Sequence, residues 1–315
     1  MEKLRIVFMG TPHFAVPSLQ MLIDRAEEII GVVTQTDRPA GRGQQVIAPP
    51  VKDLALKSGL PVFQPVKVRT EQFIHQLKTL SPDLIVVVAF GQILPRAVLD
   101  IPCYGCINVH ASLLPAYRGA APINWVLING EPETGITIML LDEGMDSGDL
   151  LLQEVLPILP ADTAATLHDR LAGDGALLLG KALDQLQNGG WKRIPQDHAH
   201  ATYAPLLKKE DGCIQWNKSA RQIHNQIRGM NPWPGSFTYV RGKLLKIYNA
   251  VVIETDPGIT PGKVTSVSEQ GITVAAGKGA LLIKELQLEG KKRMSAEEFI
   301  KGQTVREGNE FTSKR

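Results

Sequence analysis

The spacing of apolar positions changes character about two thirds of the way along the chain. Up to about Gly190, short apolar runs alternate with longer stretches of helical periodicity. Leu4 to Met9, Ile29 to Thr34, Leu84 to Ala89, Cys106 to His110 and Thr134 to Leu140 read as strands. A run such as Leu84-Ile85-Val86-Val87-Val88 has no polar face, which suits a parallel strand buried on both sides and joined to the next by a right-handed helical crossover. From Thr163, apolar positions at Leu167, Leu171, Leu177, Leu178 and Leu183 predict a helix running towards Asn188, with Gly189-Gly190 to end it. Trp191 to Asp211 has two prolines and little periodicity and reads as a linker. Beyond it, Ser219 to Arg228 predicts a short helix. Phe237 to Val240, Leu244 to Ile253, Lys263 to Val267, Thr273 to Ala276 and Ala280 to Leu286 predict strands separated by Gly and Pro. Ser295-Ala296-Glu297-Glu298 is a capping box that starts one more helix. The prediction is an α/β protein: a doubly wound, Rossmann-like, mostly parallel sheet over residues 1–190, a linker over 191–210, and a small OB-like β-barrel over 211–315.

Composition changes this picture little. With 315 residues, 43% of them apolar and 21% charged, the chain has the make-up of a soluble globular protein with room for two cores, and disorder is excluded. No segment has the make-up of a membrane span, and Met1 to Gly10 lacks the basic-then-apolar order of a signal peptide, so a cytoplasmic protein is expected. It is also expected to be a monomer, although no sequence feature fixes the oligomeric state. Three cysteines cannot make a disulfide framework. Cys103, Cys106 and His110 have zinc-like spacing, but no second knuckle follows, and no metal is expected. Charge is more informative. Lys and Arg number 16 against 21 Asp and Glu up to Leu207, and 18 against 11 from Lys208 onward. A basic C-terminal third fits a phosphate-rich partner, although a solvated lysine surface would look the same.

Several familiar chemistries drop out. Gly175-x4-Gly180-Lys181 approaches a phosphate-binding loop, but Ala182 stands where Ser or Thr must reach magnesium, and Ala176 to Leu179 favours helix over loop. The turn after the first strand reads Gly10-Thr11-Pro12, not G-x-G-x-x-G, which argues against a dinucleotide. Neither G-x-S-x-G nor H-E-x-x-H occurs.

The informative stretch is Cys106 to Pro115. On a strand, Asn108 and His110 project to one face while Ile107 and Val109 pack on the other, and they lie at the strand's C-terminal end, where open α/β sheets bind ligands. Leu141 to Asp149 follows the next strand and is expected to bring Asp142, Glu143, Asp146 and Asp149 to the same edge, with Gly144 and Gly148 permitting a close-approaching backbone. A carboxylate orients an imidazole, and a neighbouring amide can donate to an oxyanion, a combination suited to acyl transfer onto an amine. A calcium loop fails on ligand spacing.

Asn108-Val109-His110 with Ser112-Leu113-Leu114-Pro115, Arg118-Gly119-Ala120-Ala121-Pro122-Ile123, and Met145-Asp146-Ser147-Gly148-Asp149 resemble the formyltransferase family. The likeness extends over nearly the whole chain, through Gly10-Thr11-Pro12 with Phe14, Asp37 to Gly43, Gly91 to Pro95, Ala201 to Pro205, and Asn231-Pro232-Trp233-Pro234-Gly235. The resemblance implies a folate-dependent enzyme of translation initiation that moves a formyl group from 10-formyltetrahydrofolate to the amine of methionine carried by initiator tRNA. It implies that Asn108 and His110 stabilise the oxyanion and shuttle the proton while Asp146 holds the imidazole. Folate is then expected along Phe90, Gly91, Gln92, Ile93 and Leu94, along Ser112, Leu113, Leu114 and Pro115, and at Asp142, whose strand-end backbone can pair with a pterin edge. Arg38 and Arg42, in the long loop Thr34 to Pro50, are expected at the tRNA acceptor end. Lys208, Lys209, Lys243, Lys246, Lys263, Lys291, Lys292 and Arg293 are expected on its phosphates. Leu206 stands where family members often carry a lysine, which moves that contact to Lys208 or Lys209. Two alternatives remain at this stage: a formyltransferase acting on an amino sugar nucleotide, and an inactive tRNA-binding relative.

Overall fold

A computed structural model of the protein describes residues 3–40, 45–254, 258–302 and 305–314. The first elements are β1 (Arg5–Gly10), α1 (Val16–Asp24), β2 (Glu28–Val33), the short hairpin β3 (Arg38–Ala40) and β4 (Gln45–Ile47), α2 (Pro50–Lys57), β5 (Val62–Phe63), α3 (Glu71–Leu80), β6 (Leu84–Val88), α4 (Arg96–Leu99) and β7 (Cys106–His110). Then follow α5 (Pro122–Asn129), β8 (Glu133–Leu140), β9 (Leu150–Pro157) and α6 (Ala164–Gln187). The final stretch holds α7 (Ala220–Gly229), β10 (Ser236–Val240), β11 (Lys243–Ile253), β12 (Val264–Ser268), β13 (Gly271–Ala275), β14 (Ala280–Leu288), β15 (Met294–Ser295), α8 (Ala296–Gly302) and β16 (Phe311–Thr312).

The chain divides into two units that interleave in sequence. The first comprises Met1–Gly119, Glu133–Pro157 and His168–Ala204; the second comprises Ala120–Pro132, Ile158–Leu167 and Pro205–Arg315.

In the first unit, seven strands run in the order β5-β2-β1-β6-β7-β8-β9. β5, β2, β1, β6 and β7 are parallel, and every residue of β6 is buried, as its unbroken apolar run requires. The last two strands are not parallel: β8 pairs antiparallel with β7 and β9 antiparallel with β8. On α6, Leu171, Leu178 and Leu183 are buried, but Leu177 faces solvent. The helix ends at Gly189 and Gly190, both with positive φ, and the Gly190 N–H donates to the Gln185 and Leu186 carbonyls. A Cβ at Gly175 would stand 2.9 Å from Val109 Cγ1, so the glycines that mimic a phosphate loop instead include the one that lets α6 press on β7.

The second unit is an antiparallel sheet in the order β12-β13-β14-β11-β10-β16, with β15 on the flank of β14. An isolated bridge between Lys263 and Glu310 joins its two ends, giving a barrel-like closure. Its core is built on Trp216, Leu245, Ile247, Ile283, Leu286, Phe299 and Phe311. Trp216 Nε1 donates to Thr238 Oγ1 at 3.0 Å, which satisfies the one polar edge of that ring. Strict alternation in β10 turns Ser236, Thr238 and Val240 inward and leaves Phe237 and Tyr239 half-buried on the other face. Ser219 caps α7 with Gln222 in a reciprocal box, and Ser295 Oγ accepts from the Glu298 N–H of α8. α5 packs against α7 so closely that a Cβ at Gly229 would lie 2.7 Å from Ile128 Cγ1.

Candidate active site

Strand β7 carries Asn108 and His110 on one face. His110 is buried, and its Nε2 lies 3.1 Å from the Tyr117 carbonyl oxygen. A carbonyl only accepts, so the proton belongs on Nε2 and Nδ1 is turned to Asp146, whose Oδ2 is 3.7 Å away. That separation exceeds a hydrogen bond; contacts of this kind commonly close only when substrate arrives. Asp146 is instead fixed by the Gly119 N–H, which donates to the same Oδ2 at 2.8 Å. The Asn108 amide is half-buried and makes no hydrogen bond to any described residue.

The antiparallel turn of β8 alters how the acidic loop reaches this pair. In register, His110 faces Thr137 and Ile107 faces Leu140, so residues 141–149 leave the sheet beside Cys106, at the opposite end of β7 from His110. The loop must fold back, and of its four carboxylates only that of Asp146 meets the imidazole. Asp146 takes φ +50° to do so. Asp142 stays exposed, where its carboxylate accepts from Gly144 N and Ser147 Oγ at 2.8–2.9 Å. Gly144 and Gly148 serve as expected: a Cβ on the first would collide with Ser147 Oγ, and on the second with the Leu140 carbonyl.

Beside this loop lies a cleft of ≈ 820 Å³. Leu99, Cys106, Leu140 and Leu141 contribute apolar wall, Asp142, Glu143 and Asp149 line it with carboxylates, and Arg96, Arg193 and His198 border it. Burial, with a smaller contribution from Asp100, pushes the Cys106 thiol up to about 12. Cys103 and Cys106 therefore sit at the N-terminal end of β7 while His110 ends it, and among the described residues no group of three or more His, Cys, Asp or Glu is arranged to hold a metal.

The segments expected to hold folate divide between two places. Phe90 to Leu94 follows β6 and Ser112 to Pro115 follows β7, so both lie at the C-terminal edge of neighbouring parallel strands, whereas Asp142 lines the cleft. Phe90 and Leu94 are buried, Gln92 accepts from the Val68 N–H, and Ile93 is 84% exposed. Gly91 has φ +83° and lies against the Gln35 amide, which donates to the Phe90 and Gly91 carbonyls at 3.0 and 3.2 Å. Ser112 to Pro115 is tightly satisfied from within. Thr137 Oγ1 donates to the Ser112 carbonyl and accepts from Leu114 N, Gln153 donates to the Leu114 carbonyl, and Ser112 Oγ donates to the Ala116 carbonyl.

Of the residues expected to meet tRNA, Arg42 lies outside the described residues. Arg38 is exposed and donates to Gln35 Oε1. Lys208, Lys209, Lys243, Lys291 and Lys292 are exposed, and Lys246 is half-buried beside Phe237 and Gln287 in register. Arg293 differs: it forms a two-pronged pair with Glu285 at 2.6 Å and lies 4.3 Å over the Tyr248 ring. Sequence reasoning missed the groups that hold the site, Tyr117, Gly119, Thr137, Gln153 and Gln196. Arg118 and Gly119 carried a signal, since they belong to the resembling stretch; Gln196 carried none.

Comparison with known proteins agrees with this arrangement. The chain matches the formyl transferase family over residues 4–183 and the formyl transferase C-terminal domain over residues 206–304. The methionyl-tRNA formyltransferase of Geotalea uraniireducens is 53% identical over 309 residues, covering 98% of each chain. Two solved structures share the fold. A variant of HypX from Aquifex aeolicus has a TM-score of 0.65 at 19% identity, covering 97% of this chain and 49% of that one, so the chain spans about half of HypX. WlaRD, a sugar 3N-formyl transferase solved with dTDP and 5-N-formyl-THF, has a TM-score of 0.67 at 20% identity, covering 93% of this chain and all of that one. Among the described residues, no helix is long and apolar enough to cross a membrane.

Proposed function

The chain belongs to the methionyl-tRNA formyltransferase family, and from that premise we propose that it transfers the formyl group of 10-formyltetrahydrofolate to the α-amino group of methionine on initiator tRNA. The amine lone pair attacks the formyl carbon, the bond from that carbon to the folate nitrogen breaks, and the proton lost by the amine ends on the departing nitrogen. An α-amino group titrates near about 7.7 to 8.0, so a neutral fraction exists without help and only modest base assistance is needed.

The observation that carries the reading is an imidazole with one nitrogen committed to the Tyr117 carbonyl and the other facing Asp146, beside an amide with no partner among the described residues. Asn108 donates its N–H to the formyl oxygen as negative charge builds there. His110 Nδ1 takes the amine's proton and passes it on, while the Asp146 carboxylate faces that proton in transit. The cleft beside residues 141–149 suits a pterin: it is large enough, has apolar wall at Leu99, Cys106 and Leu140, and has acceptors at Asp142. Phe90 to Leu94 and Ser112 to Pro115 then flank the rest of the donor, with Ile93 as an exposed apolar contact.

The acceptor is held by the basic residues. Arg38, with Arg42, approaches the acceptor end, and Lys208, Lys209, Lys243, Lys246, Lys291 and Lys292 neutralise phosphates. Arg293 contributes a fixed, stacked surface with Tyr248, because its charge is already matched by Glu285. On this reading the protein works in the cytoplasm as a monomer, with the chemistry in the first unit, which also carries Arg38 and Arg42, and the remaining tRNA contacts in the second, from Pro205 onward.

The test is transfer of labelled formyl from 10-formyltetrahydrofolate to methionine-charged initiator tRNA, beside charged elongator tRNA and an amino sugar nucleotide. Selective labelling of the initiator is expected. Labelling of the sugar alone would reassign the acceptor, and binding of tRNA without labelling would make the chain a binding protein.

A further inference from the structure

Asp146 sits on the nine-residue loop that follows β8 and leaves the sheet beside the far end of β7, and its backbone takes a φ that non-glycine residues seldom adopt. Something must hold it there. Its carboxylate is held by the Gly119 N–H at 2.8 Å. Its main chain is held from the other side by Gln196, whose Nε2 donates to the Asp146 carbonyl at 2.9 Å and the Gly148 carbonyl at 2.7 Å. Gln196 is in turn oriented by Arg118, which donates to Gln196 Oε1 from Nε at 3.2 Å and from Nη2 at 2.6 Å.

These contacts close a ring. Arg118 adjoins Gly119 in the chain, Gly119 binds the Asp146 carboxylate, Asp146 binds Gln196 through its carbonyl, and Gln196 returns to Arg118. The preceding residue, Tyr117, supplies the carbonyl that His110 uses. Three consecutive residues, 117–119, therefore orient both members of the imidazole–carboxylate pair. Gln196 and Arg118 are 6% and 4% exposed, so these two side chains are shielded from water, and no carboxylate pairs with the guanidinium among the described residues. Its charge is met by amide oxygen and by His198 Nδ1 at 3.0 Å. A buried guanidinium without a counter-ion is costly, which makes its use as the anchor of a neutral amide hard to explain by stability alone.

We propose that Gln196 is a positioning residue for the formyl transfer: it fixes the Asp146 loop so that the carboxylate faces His110. This rests on the catalytic reading given to Asp146 and His110. Gln196 touches neither reactant, so its removal lowers kcat and leaves both substrates' KM values in place.

Gln196→Glu keeps an acceptor for Arg118 but loses both donors to the loop, and the near-isosteric Gln196→Met removes donors and acceptor together. Both are expected to lower kcat by about 10- to 100-fold, up to the loss on the order of 100-fold that misplacing a reacting group by about an ångström can cause. KM for 10-formyltetrahydrofolate and for charged initiator tRNA should hold within about twofold. The decisive measurement is a double-mutant cycle with Asp146→Asn. If Gln196 acts through Asp146, adding Gln196→Glu to Asp146→Asn costs nothing further. Equal multiplicative losses in both backgrounds, or a loss carried by KM, would overturn the proposal while leaving the catalytic reading intact. Wild-type turnover by Asp146→Asn alone would instead overturn the catalytic reading.

Discussion

The sheet end around His110 and the outer face of the barrel are constructed in opposite ways. Around His110, polar groups are buried and bound to one another: Ser112, Thr137, Arg118 and Gln196 are each at most 6% exposed, and each has a named partner. On the barrel, Lys243, Lys291 and Lys292 are exposed, while Arg293 is held in an ordered pair with Glu285. The contrast is the one that the two proposed tasks require. Stabilising a charge that appears for an instant requires donors already in place, because reorganising them during the reaction would add to the barrier. Neutralising a polyanion requires charge density and tolerates imprecision, since the gain comes from released counterions.

The sharpest way to break this comparison is to remove one pre-placed donor. Asn108→Ala should lower kcat by about 100- to 1000-fold in the labelled-formyl assay, with both KM values little changed. Wild-type turnover would take Asn108 out of the chemistry. The next effect is on stability. Thr137→Val leaves the buried Leu114 N–H and Ser112 carbonyl without their hydroxyl partner, and should destabilise the protein by about 1–3 kcal/mol in denaturant titration. A change within error would mean that these groups find other partners.

The barrel should respond more gently. Lys246→Ala is expected to weaken tRNA use several-fold and to reduce the log–log salt slope of tRNA kcat/KM by about one, leaving the donor's KM alone. An unchanged slope would move the RNA surface elsewhere. The smallest effect concerns His224, whose pKa is held below its ordinary 6.5 by burial first and by Arg228 and Arg221 second. The unfolded chain takes up the proton more readily, so stability is full above pH 6.5 and declines as pH falls below it. Thermal melts should show this decline, and His224→Gln should flatten it.

Much of this was legible because local chemistry and global fold agree. The apolar run of β6, the capping residues Ser219 and Ser295, and the Gly189-Gly190 stop after α6 each act within a few residues, and each lands where its spacing predicts. The expected strands at Leu4, Ile29, Leu84, Cys106 and Thr134 correspond to β1, β2, β6, β7 and β8. What escaped depends on pairing across the chain. Nothing in Thr134 to Leu140 says that β8 runs antiparallel, and that single choice decides at which end of β7 the acidic loop emerges. β9 went unread, since Leu150 to Pro157 runs three leucines, Gln-Glu and then Val-Leu-Pro, with no apolar–polar alternation to mark a strand. Alternation on one strand puts Asn108 and His110 on a shared face, but only the resemblance to the formyltransferases gives that pair a role. Gln196 could not, because an aperiodic stretch between two prolines gives no hint that one amide in it reaches back 50 residues to Asp146.

Interleaving of the two units also has a consequence during synthesis. α5 belongs with α7, yet it leaves the ribosome long before Ala220–Gly229 exists to cover it, and at about 5–20 residues per second the wait lasts several seconds. Throughout that interval the α5 surface at Trp125 and Ile128, later covered by Leu207 and Met230, is open to a chaperone. A nascent chain halted before α7 would therefore carry a complete set of first-unit strands together with an unclaimed helix, and that helix is where a holdase should be found crosslinked.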